Sequence, residues 1–306
     1  MSRAQGKSIT RFAVATLLIG AASSSQAITI DFDYTYDTGF FDANAKNTLN
    51  AAGAFFESRL TDHLTAITPS GVNTFSAAFF RPDTGDWVAV GNGNYSVAAD
   101  TLVVYVGARN LGGGTLGQGG PGGYSAGGTQ DFLDNAATRG QAGAPADDFG
   151  PWGGSITFDS GSNWYFDQTP ASSDDLPGGM NDFYSVALHE MGHLLGFGTA
   201  DSWSNKVASG AFTGAHATAL FGGNVPLAGD AHWANGLTST VNGAGSQEVA
   251  MDPDLTTGTR KVFTDLDLAA LQDIGWEVTP VPVPAAAWLF GTGLLGLAGF
   301  ARRRAA

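Results

Sequence analysis

Hydrophobic positions between residues 28 and 279 change period several times. "ITIDFDYTY" alternates apolar and polar residues, which predicts a strand with one buried face. From Ala43 to Ile67 the apolar Leu49, Phe56, Leu60 and Leu64 recur with alanines between them, predicting a long amphipathic helix. His63 lies on that stretch as an ordinary surface histidine. "TLVVYVGA", from Thr101 to Ala108, reads as a fully buried strand. It runs into a glycine-rich stretch, Asn110 to Gly128, expected to be a flexible loop; no GxxxxGK[ST] follows, so it is not a phosphate cradle. "GSITFDSGSNWYFD" predicts a strand, a turn and a second extended piece.

The clearest helix is "MNDFYSVALHEMGHLLGFG", with Asn181 or Asp182 as its N-cap and Gly196 and Gly198 closing it. Tyr184, Ala187, Leu188, Met191, Leu194 and Leu195 share one face; His189, Glu190 and His193 share the other. From 199 to 250 the pattern is irregular, apart from a short helix expected in "FTGAHATALFGG". "FTDLDLAALQDIGWEV" predicts a last helix, capped by Thr264 and closed near Gly275. No repeat or long linker divides 28–279, so one domain is expected.

The two ends follow other rules. Arg3, Lys7 and Arg11 precede an apolar run from Phe12 to Ala22 and then Ser25-Gln26-Ala27, the pattern of an export signal over 1–27. At 280–306, Val281-Pro282-Val283-Pro284 leads into an apolar stretch, Ala285 to Ala301, and then Arg302-Arg303-Arg304. Physically this is a short transmembrane helix with a positive inside flank. It also resembles the tripartite PEP-CTERM sorting signal of Gram-negative bacteria, in its Val-Pro-Val-Pro-Ala variant. That resemblance implies recognition by an exosortase-type sorting enzyme and transient membrane anchoring. The expected path is export, an inner-membrane intermediate, and then the cell surface or extracellular matrix.

Charge changes the picture once the ends are set aside. The middle segment keeps eight basic residues against all 28 acidic ones, a formal −20. Such a surface repels nucleic acid and anionic membrane. Asp252-Pro253-Asp254 and Asp174-Asp175 offer hard oxygens to Ca2+, but neither has the ligand spacing of an EF-hand loop. Cysteine is absent, which removes disulfides, thiolate ligands and thiol nucleophiles together.

Residues four apart stand one helical turn above each other, so His189 and His193 can converge on one metal ion, with zinc the best match to imidazole ligands and hydrolytic chemistry. Glu190 would then be the general base acting on a zinc-bound water. A third ligand is missing from the helix itself. Asp201 is close; His216 sits in "TGAHATA"; Glu248 with Asp252 mimics an ExxxD pair; and His232 sits in "GDAHWA".

Extended to Gly196, the motif His-Glu-x-x-His-x-x-Gly resembles the metzincin zinc endopeptidases, in which the glycine permits a sharp turn towards the third ligand. Compact members have a histidine where Thr199 stands here. "HEMGHLLGFGT", "FTGAHA", Ala-His-Trp and "EVAMDP" in that order resemble the leishmanolysin-like type, whose third histidine follows a long insertion. That resemblance implies His232 as the third metal ligand and Met251 as the Met-turn methionine. It covers about Asn181 to Trp276 and is weak before residue 150. It implies an α+β (mixed α/β) fold with a twisted sheet, a backing helix, the zinc helix and a C-terminal subdomain. The expected function is a secreted zinc endopeptidase acting on a protein or peptide substrate. "GSITFD" is the expected edge strand for pairing with that substrate. The competing expectation is a non-catalytic matrix-associated or adhesion protein with a structural zinc site.

Overall fold

The first alternating segment forms β1 (Thr29–Asp33), after which Asp42 caps α1 (Ala43–Glu57) by accepting from the Ala45 amide. The helix is shorter than its hydrophobic spacing implies. It stops at Glu57 because Leu60 bridges to Val278 and the Asp62 carboxylate accepts the Glu277 amide. Leu60 and Leu64 therefore enter the core from irregular chain, and His63 stands exposed off the helix. This computed structural model describes residues 28–279 other than 171, 173 and 174. The expected export signal and the sorting tail with its 285–301 helix lie outside the described residues. Among the described residues no helix is long and apolar enough to cross a membrane.

Strands β2 (Thr74–Phe80) and β3 (Trp87–Val90) pair antiparallel ahead of β4 (Thr101–Arg109). β4 is buried on both faces, which explains its unbroken apolar run. Leu102, Val104 and Val106 point into the main core, while Tyr105 joins a second core with Phe75, Phe79 and Trp152.

The glycine-rich stretch is not a loop throughout. It contains β5 (Gly117–Pro121) and β6 (Gly123–Gly127), followed by α2 (Gln130–Thr138) and β7 (Gly153–Asp159). The main sheet has the order β1-β4-β7-β5; β1, β4 and β7 run parallel and β5 is antiparallel to β7. "GSITFD" is therefore an interior strand, and the edge is β5. Ser155 and Thr157 imitate a solvent face in the sequence, yet both are buried. The Ser155 hydroxyl donates to the Phe80 carbonyl, and Arg109 donates to Thr157. A second sheet, β3-β2-β6, covers the far side. Beneath it Arg139, fully buried, donates to the carbonyls of Thr65, Ala98, Thr101 and Pro151, which replace a carboxylate partner.

Two short strands, β8 (Trp164–Tyr165) and β9 (Asn181–Asp182), pair just before α3 (Phe183–Leu194), and Asp182 is its N-cap. Helices α1 and α3 share the main core on one side of the sheet. Beyond α3 come α4 (Asp201–Ser204), β10 (Val207–Ala208), β11 (Ala211–Phe212), α5 (Ala215–Phe221), β12 (Val225–Ala228) and β13 (His232–Trp233). The four strands form one small antiparallel sheet. Phe197, Trp203, Phe212 and Trp233, all fully buried, stack within it. At about 1.5–3 kcal/mol for each large apolar side chain buried, this cluster can hold the irregular segment without disulfides. The hairpin β14 (Thr238–Val241)–β15 (Ala244–Glu248) and then α6 (Asp265–Asp273) complete a mixed α/β fold. Thr264 caps α6 in a full capping box with Asp267.

β5 is made of glycine because α3 lies against it. A Cβ on Gly117 would stand 2.6 Å from Glu190 Oε1, and one on Gly119 would stand 2.3 Å from the Glu190 carbonyl oxygen. A Cβ on Gly120 would meet nothing within 4 Å. We expect Gly119→Ala to lower stability by about 1–3 kcal/mol, as overpacking does, and Gly120→Ala to change it by less than about 0.5 kcal/mol. Urea titrations of the two variants beside the wild type check this contrast.

Candidate metal centre

His189 and His193 stand one turn apart on α3, and each is oriented by its Nδ1–H. His189 donates to the Ala250 carbonyl and His193 to the Phe197 carbonyl, both at 2.8 Å. Both Nε2 atoms are therefore left as lone-pair acceptors. They face each other at 3.1 Å, which is repulsive between two acceptors unless a cation lies between them. His232, 39 residues beyond His193, brings its own Nε2 to 3.0 Å from that of His193. The three ligand atoms lie within 4.8 Å of one another, the one such histidine-carboxylate group among the described residues. Burial lowers the pKa of all three imidazoles, to about 4 for His193, so they are neutral at pH 7 and ready to ligate. A three-nitrogen donor set open to a cleft fits zinc.

The turn after α3 is built as the motif requires. Gly196 has φ +101° and Gly198 φ +74°, both left-handed values that cost glycine least. A Cβ on Gly198 would stand 2.4 Å from the Ala231 carbonyl oxygen, so this glycine lets the strand carrying His232 approach. The Thr199 hydroxyl donates to the His193 carbonyl at 2.6 Å and closes the helix instead of reaching the metal position.

The other ligand candidates go elsewhere. Asp201 is exposed at the start of α4, and His216 is exposed on α5, where its amide donates to Asp273. Glu248 and Asp252 clasp the Lys261 ammonium at 2.8 and 2.7 Å. That ion pair also engages the aspartate expected to offer oxygen to calcium. Asp174 lies outside the described residues.

Glu190 is buried with its carboxyl beside β5. Burial pushes its pKa up to about 8, against the pull of the Gly119 amide that hydrogen-bonds it. Met251 is fully buried against α3, and Gly192 makes room for it: a Cβ there would be 2.5 Å from the Met251 sulfur. Above the site runs a cleft of about 990 Å³. Gly113 to Gly119 form one wall, and Pro253 to Thr256 with Lys261 form the other.

Sequence reasoning missed the residue that joins these parts. Asp267, fully buried, accepts from the Ala250 and Met251 amides, the Trp233 indole, and the amide and hydroxyl of Thr264. One carboxylate thus fixes the methionine turn, the neighbour of His232 and the start of α6. The capping pattern Thr-x-x-Asp was visible, but its other three partners were not. Arg260 was missed too: it is buried between Asp167 and Asp182 and ties the outer wall to the N-cap of α3.

Residues 127–205 match the family model of the matrixins, peptidase family M10. Matrixins are metzincins. The match takes in β7 and the whole of α3, and stops before His232 and Met251. It supports a metzincin-type zinc metalloprotease, with zinc as the family's metal. No curated protein and no solved structure matches the chain.

Two outcomes follow from this geometry. Asp267→Ala would leave buried donors without an acceptor, at about 1–3 kcal/mol for each unsatisfied group. We expect a loss of at least about 3 kcal/mol by urea denaturation, accompanied by weaker zinc retention. In the metal-free protein Glu190 holds its proton more tightly folded than unfolded. Its contribution is therefore complete below about pH 4.5 and is lost as pH rises through about 8. Wild type should lose stability relative to Glu190→Gln across that window, measured by melting both with chelator present.

Proposed function

We propose that this chain is a secreted zinc-dependent endopeptidase of the leishmanolysin-like layout, with His189, His193 and His232 as metal ligands and Glu190 as general base. The observation that carries this reading is the meeting of three neutral imidazole nitrogens with one buried carboxyl beneath an unpaired strand edge. A bound zinc ion would polarise the scissile carbonyl and lower the pKa of water to about 7.

The chain's own groups do the rest. Edge strand β5 presents an edge with no partner strand to an extended peptide, apart from the Gly119 amide that Glu190 accepts, and its glycines let that peptide lie close to Glu190. A cation held by the three imidazoles would favour the ionised form of Glu190, and this carboxylate takes a proton from the water whose oxygen bonds to the carbonyl carbon. It then gives that proton to the amide nitrogen as the carbon–nitrogen bond breaks. Met251 packs against α3 at Gly192, and the Ala250 and Phe197 carbonyls hold the tautomers of His189 and His193. The export signal and the PEP-CTERM-like tail would place the enzyme at the envelope surface, after an exosortase-type enzyme has acted on the tail.

Zinc analysis and casein cleavage test this directly. Glu190→Gln should keep stoichiometric zinc and lose about 10²–10⁴-fold in kcat. His232→Ala should lose both zinc affinity and activity. Full activity in His232→Ala would overturn the ligand assignment. Intact zinc with no cleavage of any protein by the wild type would favour a structural metal site in a matrix protein.

A further inference from the structure

The second sheet carries two large aromatic rings that the fold does not bury. Phe80 ends β2 and faces Trp87 directly across the β2–β3 pair. Their ring centroids are 4.9 Å apart at 70°, yet Phe80 is 59 % and Trp87 54 % exposed. The opposite face of β2 has a clear purpose: Phe75, Ala77 and Phe79 fill the second core. The outward face is levelled by small residues, since Ala78 pairs with Ala89 on one side and with Gly123 on the other. A Cβ on Gly123 would stand 3.2 Å from the Trp87 ring, so the indole lies across β2 towards β6. Without a side chain at Gly123 the ring can lie flat over the sheet.

This platform is continuous with the catalytic cleft. Phe80 is itself part of the cleft lining. β5 runs through Gly122 directly into β6, so the strand that forms the cleft's edge becomes the strand beneath Trp87. Glu190 lies at the Gly117–Gly119 end of β5, and the aromatic pair lies beyond its Pro121 end.

We propose that Phe80 and Trp87 form a recognition subsite for apolar or aromatic side chains on the amino side of the bond to be cut. This rests on the endopeptidase reading above. A peptide paired antiparallel with β5 runs its amino-terminal part towards Pro121. At about 3.4 Å per residue it reaches the rings about three to five residues before the scissile bond. There the substrate meets a water-exposed, edge-to-face aromatic pair that gains by being covered.

The test uses the full zinc-loaded chain and the cut sites it makes in casein, read by mass spectrometry. Wild type should show enrichment of Phe, Tyr, Trp, Leu or Ile about three to five residues before the bond. Two quenched peptides built on one cut site, one extending through that region and one stopping short of it, then separate the effects. In Trp87→Ser the ratio of kcat/KM for the long peptide over the short one should fall about tenfold, through KM. The melting temperature should hold, because the indole is half exposed. Calorimetric titration of the long peptide into zinc-loaded Glu190→Gln gives a readout that does not need turnover, and adding Trp87→Ser should weaken that binding about tenfold. An unchanged ratio or unchanged binding would overturn the subsite while leaving the endopeptidase standing. Trp87-dependent binding of a neutral soluble glucan with no effect on the peptide would overturn it in favour of a glycan platform. Absence of cleavage by wild type would sink the endopeptidase reading instead, and the titration would still decide whether the rings hold an apolar peptide.

Discussion

Assembly of the metal centre depends on one buried carboxylate. His232 is separated from His193 by a segment with little regular structure and no covalent cross-link. Asp267 draws the far end of that segment inward by accepting the Trp233 indole, and with its remaining lone pairs it holds the backbone of Ala250 and Met251. The Ala250 carbonyl in turn orients His189. A single acceptor therefore connects the strand that carries His232, the turn at Met251 and the tautomer of His189. Burying it is costly, as the upward shift of its pKa by burial shows, and five donors offset that cost.

The same economy runs through the rest of the chain. Arg139 is buried against four carbonyls, and Arg260 against two aspartates. In a protein without cysteine, buried polar anchors and an aromatic box perform the cross-linking that disulfides give to disulfide-bonded domains.

What could be read from the sequence divides along a physical line. Features fixed by local spacing were legible: α3 with its cap at Asn181 or Asp182, of which the fold uses Asp182, the turn at Gly196, the cap at Thr264 and the buried β4. His232 was legible only through its tryptophan and its order in the chain, and the fold brings it to the pair on α3. Periodicity failed where contact with another element decides the residue. Gly117 and Gly119 of β5 and Gly123 of β6 are glycines whose side-chain space α3 and Trp87 occupy, so no apolar alternation survives there to be read. β7 alternates like an edge strand, yet its serine and threonine are satisfied inside the protein. α1 kept helical spacing past its end because Leu60 and Leu64 are needed by the same core from a different backbone.

The glycine seam between β5 and α3 limits how this protein can diversify. The helix that carries the Glu190 carboxyl and the edge strand β5 are in close contact, so neither Gly117 nor Gly119 can gain a side chain without displacing Glu190. New selectivity cannot be written there. It has to be written on the other cleft-lining segment, Pro253 to Thr256, or on the outward face of the second sheet, where a residue can change without displacing Glu190. Descendants of this fold would therefore keep a nearly invariant inner rail and vary along its outer bank.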